Sequence, residues 1–151
     1  MTQYHFISSP KLLKEGTFGD NPVSPEKPNV YATNLDFDHL FIKGNWDKER
    51  KVIASYSEHF KYKYQVGFIS GQIPIKGRGG KLNSPRVKKY LDILYKYIVD
   101  AVNDSGVIEY YTSWNSEEDL PISGMRQISL ANLKFPEDLV IADRELVTIV
   151  A

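Results

Sequence analysis

The chain contains no cysteine, which excludes disulfide bonds, thiolate metal sites and cysteine nucleophiles. A lack of cysteine is in keeping with a reducing compartment. An excess of charge of one sign is also missing, because nineteen Lys and Arg balance nineteen Asp and Glu among the 151 residues. Proteins that bind nucleic acid over a broad surface usually carry a basic excess, so this balance argues against that class.

Long apolar runs are absent as well. No stretch approaches the roughly 20 apolar residues that a membrane span requires. The first ten residues lack the charged and then apolar layout of a signal peptide. The length is typical of one domain, so we expect a single cytoplasmic domain over residues 1–151 with no membrane partner.

The strongest pattern in the chain predicts a long amphipathic helix over about residues 85–104. Ser84 and Pro85 form an N-cap followed by proline at the first helical position, and Gly106 is a stop signal. The apolar side chains between them fall on one helical stripe, formed by Val87, Tyr90, Leu91, Leu94, Ile98 and Val102. We expect this stripe to pack on a sheet.

Alternating and β-rich runs predict six or so strands. They fall at residues 4–8, 30–33, 52–56, 61–68, 107–114, 128–133 and 146–150. A short helix is expected over residues 35–42 with Asn34 as its N-cap, and residues 14–29 are expected to form a long connection rich in Gly, Pro and Asn. Because strands and helices do not alternate regularly, we expect an α+β domain with a twisted, mostly antiparallel, split sheet and one or two short helices.

Two surfaces could contact nucleic acid or phosphate. The segment 76–81 places Lys76, Arg78 and Lys81 among glycines, whose backbone N–H groups can approach an anion. It lacks the spacing of a P-loop, so a plain connector is the favoured interpretation. In residues 61–64 tyrosines alternate with lysines, as in a stacking platform, although a half-buried strand explains the same alternation. The three histidines, His5, His39 and His59, are widely spaced and predict no metal site.

Three single residues form an ordered series along the predicted strands. His5 lies in the first strand, Tyr31 lies in a strand just before a helix, and Glu145 stands at the head of the last strand. In that order, the chain resembles the His-Tyr-Glu branch of the ADP-ribosyltransferase-like superfamily, which includes the diphtheria-toxin-like and poly-ADP-ribose-polymerase-like enzymes. The runs that carry the resemblance are YHFIS at residues 4–8, VYAT at 30–33 and ELV at 145–147.

The resemblance implies an NAD-dependent transfer of ADP-ribose without a metal. His5 would bond the nicotinamide-side ribose, Tyr31 would stack on the nicotinamide, and Thr33 would lie beside them as a cofactor contact. Glu145 would be the catalytic carboxylate, with Glu118 or Glu109 as competitors for that role. A fixed carboxylate would stabilise the cationic sugar that forms as the glycosidic bond breaks.

A second hypothesis follows from a departure from the family pattern. Phe6 stands where the family has a glycine after its histidine, and this glycine commonly lets the backbone bond the nicotinamide amide. The departure favours a non-catalytic module that binds a protein or nucleic-acid partner, or an inactive relative of the enzymes. A purely structural component with no small-molecule site is the third hypothesis.

Overall fold

A mixed sheet of seven strands, one long helix and a separate two-stranded sheet make up the fold in the computed structural model, which describes residues 2–79 and 82–151. This confirms the predicted α+β class. The strands are β1 (Gln3–Ser9), β2 (Gly16–Phe18), β3 (Leu40–Gly44), β4 (Trp46–Asp47), β5 (Val52–Ile53), β6 (Tyr64–Ile69), β7 (Val107–Trp114), β8 (Gly124–Ser129) and β9 (Glu145–Val150). The helices are α1 (Asn34–Phe37) and α2 (Pro85–Ser105), and two short 3-10 turns span Leu130–Asn132 and Pro136–Leu139.

The large sheet has the strand order β2-β3-β6-β1-β7-β9-β8, with β1 near its centre. Strand pairs in the described part of the chain are antiparallel except β8 with β9, which run parallel. This arrangement confirms a mostly antiparallel sheet. It also leaves β2 and β8, which come from distant parts of the chain, as the two sheet edges.

Helix α2 covers one face of this sheet and encloses the main core. It spans Pro85–Ser105, as its start and stop signals predict, and it ends at Gly106 in the left-handed conformation (φ 87°). The inward side chains of α2 and the sheet face beneath it are almost fully buried, among them Leu91, Leu94, Ile98, Val102, Ile7, Ile108, Val147 and Ile149. The predicted apolar stripe therefore packs against the sheet. No helix among the described residues is both long and apolar enough to cross a membrane.

The opposite face of the sheet holds a smaller core of Phe6, Tyr111 and Leu146. Side chains from two irregular segments, including Tyr56 and Phe60, cover it. This cover explains why β6, whose alternation predicts a half-buried strand, is buried on both sides over Gln65–Phe68.

The strand predicted at residues 30–33 is wrong. Val30 instead closes a local turn, because its N–H donates to the carbonyl of Lys27 and its carbonyl accepts from the N–H of Val23. The predicted N-cap is also shifted by one residue. Thr33 caps α1, since its Oγ1 accepts the N–H of Asp36 at 3.1 Å.

The helix predicted over residues 35–42 is wrong beyond Phe37. Residues 40–44 form β3, in which Leu40 and Ile42 are buried while Phe41 between them is 62% exposed. Apolar residues at 37, 40 and 41 fit a helical period, but those at 40 and 42 equally fit a strand, and pairing with β2 and β6 decides the outcome.

Three smaller expectations also change. The strand predicted at 52–56 is reduced to β5, and the one predicted at 128–133 ends at Ser129, where a 3-10 turn begins. The connection at 14–29 contains β2 and a turn closed by an isolated bridge between Ser24 and Lys27. The large sheet has seven strands against the six or so expected, because β2 and β3 join it while residues 30–33 and 52–56 do not.

Candidate functional site

His5 is a core residue of the central strand. Its side chain has no exposed surface and is stacked between Phe68 (ring centroids 5.1 Å apart) and Tyr110 (6.1 Å). A hydrogen bond of 2.9 Å joins its Nδ1 to the Tyr110 hydroxyl, and Nε2 has no partner among the described residues. Burial lowers the pKa of His5 to about 3, and the Ser70 backbone acts in the opposite direction with a smaller effect than burial. The ring is therefore neutral and out of reach of any ligand in this conformation.

Tyr31 lies in a turn beside the β2–β3 edge of the sheet. Its hydroxyl donates to Asp20 Oδ2 (3.2 Å) and to the carbonyl of Pro28 (3.0 Å), and its ring meets Phe37 edge to face. Desolvation, followed by the bond to Asp20, raises the pKa of Tyr31. Thr33 Oγ1 is engaged with Asp36, to whose side chain it donates at 3.0 Å. These contacts pin the turn that leads into α1.

Glu145 opens β9 on the other side of the sheet. Its Oε2 pairs with Arg126 Nε at 3.1 Å, and its Oε1 accepts the N–H of Ala142 at 3.1 Å. Both carboxylate oxygens thus have partners in the fold. Alternation along β9 places Glu145 on the face of Val147 and Ile149, which is the α2 side.

The structure places His5 and Glu145 on one face of the sheet, two strands apart, and Tyr31 at the far edge. Thr112 lies directly opposite His5, and its carbonyl accepts the N–H of Arg144, the residue before Glu145. His5 and Glu145 are therefore near the same row of the sheet, separated by β7. Tyr31 lies beyond β6, at the far edge. Neither of two cavities lined by the described residues includes any of the three side chains.

The two competing carboxylates are placed differently. Glu109 is buried in β7, where its Oε1 accepts from Ser8 Oγ and from the Lys61 N–H, both at 2.8 Å, while its Oε2 has no partner among the described residues. Glu118 lies in a surface segment, and its Oε1 accepts the N–H of Ser116 at 3.0 Å. Neither carboxylate lies beside Tyr31.

The described part of the basic glycine segment is held against the sheet. The Lys76 N–H donates to the Ile141 carbonyl at 2.9 Å. Arg78 lies over the ring of Trp114, with 4.3 Å between the guanidinium carbon and the ring centroid, and its Nη1 donates to Gln3 Oε1 at 2.8 Å. Residues 76–79 are exposed, as a connector is expected to be, and Lys76 and Arg78 attach this segment to the fold. Lys81, the third cation of this segment, lies outside the described residues.

A concave feature follows the flank of α2, and we name it the α2 groove. It has a volume of about 610 Å³ and runs between α2 and the segments that precede and follow β2. Its apolar lining is formed by Leu12, Leu13, Phe18, Leu35, Ile93, Tyr97 and Ala101. No cluster of His, Asp or Glu suited to a metal ion occurs within residues 2–79 and 82–151.

Two contacts shape the walls of the α2 groove. The Tyr97 hydroxyl donates to the carbonyl of Lys14, which fixes the strap between β1 and β2 against the helix. Gly19 adopts a left-handed conformation (φ 99°), and a Cβ built there would lie only 2.2 Å from Cδ1 of Ile93. Only glycine allows the backbone to approach the helix so closely.

Charged side chains line the rim of the α2 groove. On the helix these are Lys89, Asp92, Lys96, Asp100 and Asp104, and on the opposite wall Lys14 and Asp36. Lys96 and Asp92 form an ion pair at 3.0 Å. The groove thus combines an apolar floor with charged edges, which suits an amphipathic ligand.

A sequence signal for this groove exists beside the main helical stripe. Ile93, Tyr97 and Ala101 recur every four residues and form a second apolar line on α2. The segments around β2 cover most of this line, since Ile93 and Tyr97 are buried and Ala101 is partly exposed. No protein-family model, no curated protein and no solved structure matches the chain.

Proposed function

We propose that this protein is a non-catalytic binding module that holds an extended peptide segment of a partner protein in the α2 groove. The observation that carries the proposal is the groove itself, with its volume of about 610 Å³ and its apolar floor. Ligand sites typically have volumes of about 300–1,000 Å³ and are mostly apolar with a few polar groups that orient the ligand.

The shape of the α2 groove favours an extended chain. Its helical wall runs from Lys89 to Asp104, about 22 Å at 1.5 Å per residue. The facing wall touches the helix at Gly19 and at the Lys14 carbonyl, and this close approach suits a single extended chain better than a helix about 10 Å wide. An extended segment of about seven residues, at roughly 3.3 Å each, would fill the groove.

The chemistry of the lining favours binding over catalysis. The floor is aliphatic and aromatic, and burial raises the pKa of Tyr97, whose hydroxyl is already bonded to the Lys14 carbonyl. His5, the candidate cofactor contact, and Glu145, the candidate catalytic carboxylate, are absent from the lining of this groove. The apolar floor can therefore hold a ligand without any part played by His5 or Glu145.

Filling the groove is expected to abolish peptide binding. Ala101 lines the groove, so Ala101→Trp places a large ring where the ligand would lie. We expect at least a tenfold loss of affinity for a fluorescein-labelled heptapeptide with Leu, Phe and Leu at its centre, measured by fluorescence anisotropy. Asn103→Trp is the matched control, because Asn103 is exposed on the same helix and does not line the groove.

A variant with a smaller side chain at position 101 tests whether misfolding causes the loss of peptide affinity. Ala101→Leu is expected to give an intermediate affinity, with the thermal midpoint of each variant recorded beside it. If no heptapeptide with an apolar centre binds the wild type, or if both Trp variants bind equally, the proposal is wrong.

NAD-dependent ADP-ribosyl transfer is the second candidate function. The observation in its favour is the position of His5 and Glu145 on one sheet face, linked through Thr112 of the strand between them. For a ligand to reach His5, the ring would have to leave its stack with Phe68 and Tyr110. The transferase reaction would also require Tyr31 to move toward His5 and Glu145 from the far side of β6.

Nicotinamide release from NAD distinguishes the two candidates. The binding-module proposal expects no release above the spontaneous rate. A release that is at least tenfold slower in Glu145→Gln, and unchanged in Glu137→Gln, would favour the transferase. Glu137 is the matched control because it is an exposed carboxylate on the surface turn at residues 136–139.

A further inference from the structure

We infer that this protein forms a symmetric dimer in which strand β8 of one copy pairs antiparallel with strand β8 of a second copy. Strand β8 is one edge of the seven-stranded sheet. The other edge, β2, has three residues against six in β8, and it supplies Phe18 to the α2 groove. The dimer surface is therefore separate from the proposed peptide site.

One hydrogen bond beside β8 shows which of its backbone groups point away from the sheet. The Ser123 N–H donates to the Arg144 carbonyl at 2.7 Å, so the backbone of Ser123 points toward β9. In a parallel pair, successive residues point alternately toward and away from the neighbouring strand, and the pairing of β8 with β9 is unbroken over six residues. Gly124, Arg126 and Ile128 therefore direct their N–H and carbonyl groups outward. These groups have no hydrogen-bond partner among the described residues.

The edge formed by β8 is open. Met125 is 63% exposed, Arg126 and Gln127 are also exposed, and a Cβ built at Gly124 would meet no atom within 4 Å. Edge strands are usually kept from pairing by proline, lysine or a bulge, and β8 has none of these features. Its single charge, on Arg126, is paired with Glu145 at 3.1 Å. Strand β8 is therefore able to accept another strand.

A second copy of the chain fits this edge better than a separate peptide does. A peptide bound to β8 would itself present a new open edge, whereas two paired β8 strands close both open edges at once. The two-fold arrangement is the commonest symmetry of soluble dimers. The chain also has no net charge at neutral pH, so no long-range repulsion opposes the association of two copies.

The charge on Arg126 selects the register of the pair. A two-fold axis at the centre of β8 places either Arg126 or Gln127 opposite itself, and like charges directly opposite each other are destabilising. With Gln127 on the axis, the outward groups of Arg126 bond those of Ile128 in the second copy. Met125 then lies opposite Ser129 of the second copy. The two Gln127 residues form a non-hydrogen-bonded pair, whose Cα atoms lie about 4.5 Å apart.

Cysteine cross-linking tests this register without background, because the chain contains no cysteine. We expect Gln127→Cys to form a disulfide-linked dimer on mild oxidation, since a Cα separation of about 4.5 Å suits a disulfide. Met125→Cys is the matched control. The two Met125 positions are offset by four residues along the pair, about 13 Å, which a disulfide cannot span. Non-reducing gel electrophoresis should show at least tenfold more covalent dimer for Gln127→Cys.

Sedimentation velocity measures the dimer without a cross-link. The mean mass of the wild type should rise toward twice that of the chain as its concentration increases to about 0.5 mM. Gln127→Lys places two like charges on the axis and should weaken the dimer at least tenfold. Asn103→Lys adds the same charge at an exposed position of α2 and should leave the dimer unchanged.

Three results would overturn the dimer. The first is a wild type that stays monomeric at the highest concentration. The second is equal cross-linking of Gln127→Cys and Met125→Cys, which would indicate random collisions. The third is equal weakening by both lysine variants, which would show that net charge rather than β8 governs association. Ala101→Trp should dimerise as the wild type does, so failure of the dimer and failure of the peptide site are separate outcomes.

Discussion

Lowering the pH from 7 to 4 is expected to destabilise the folded protein by about 3 kcal/mol through His5 alone. The pKa of His5 is about 3 in the fold, against 6.5 for an ordinary histidine. Burial is the main cause, because the stacked ring between Phe68 and Tyr110 has no water to solvate a positive charge. The stability of the fold therefore depends on His5 remaining neutral at the centre of the sheet.

The direction of the effect follows from proton binding. Between pH 6.5 and pH 3 the unfolded chain binds a proton at His5 and the folded chain does not. Stability is therefore fully present above pH 6.5 and is lost as the pH falls toward 3. The whole shift corresponds to roughly 4 to 5 kcal/mol, at 1.36 kcal/mol per unit of pKa. A typical domain has only about 5–15 kcal/mol of stability, so acid unfolding is a realistic outcome.

Urea denaturation of the wild type and of His5→Gln at pH 7 and pH 4 measures this effect. Gln is neutral at both values, so the loss of unfolding free energy between them should be about 3 kcal/mol smaller in the variant. His39→Gln controls for the removal of a histidine at a partly exposed position. Equal pH dependence in the wild type and in His5→Gln would show that His5 does not remain neutral in the fold.

The elements with strong local signals could be predicted from the sequence. The proline at the start of α2, the apolar stripe and Gly106 are all local, and the observed helix follows them closely. Strand β7 matches its predicted range of 107–114 because its residues are β-branched or aromatic almost throughout. The sequence pattern that predicts each of these two elements lies within the element itself and does not depend on a distant strand.

The region around Tyr31 shows where sequence patterns are insufficient. The run at residues 30–33 has the composition of a strand, but its backbone groups bond within the local turn that closes on Val23. Residues 40–44 join a sheet whose other strands lie far away in the chain, so tertiary pairing overrides a helical pattern. Local propensity does not contain that information.

The candidate site, like the fold, could be predicted from the sequence only in part. The side chains of His5, Tyr31 and Glu145 were predictable as polar groups on particular segments, but whether they meet depends on strand order. That order places β6, β1 and β7 between the segment of Tyr31 and strand β9. The α2 groove forms because the segment at Gly19 touches Ile93, a contact between positions far apart in the sequence. Only its helical half, the line of Ile93, Tyr97 and Ala101, is visible in the sequence.

Leu94→Ala is expected to destabilise the protein by about 3 kcal/mol, because it removes buried methyl groups and leaves a cavity under α2. The Leu94 side chain has no exposed surface and lies in the main core between α2 and the sheet. The thermal midpoint should fall on the order of 10 °C for a chain of this length. Asn103→Ala, at an exposed position of the same helix, should change the unfolding free energy by less than about 0.5 kcal/mol.

The Leu94→Ala variant also distinguishes the side of α2 that packs on the sheet from the side that lines the groove. Leu94 faces the sheet, whereas Ala101 lines the groove. We therefore expect Leu94→Ala to retain the heptapeptide affinity of the wild type at a temperature where it remains folded, and Ala101→Trp to show the reverse pattern of near-normal stability and lost binding. If Leu94→Ala weakens binding as much as Ala101→Trp does, the groove is not an independent surface of the helix but depends on how α2 is packed on the sheet.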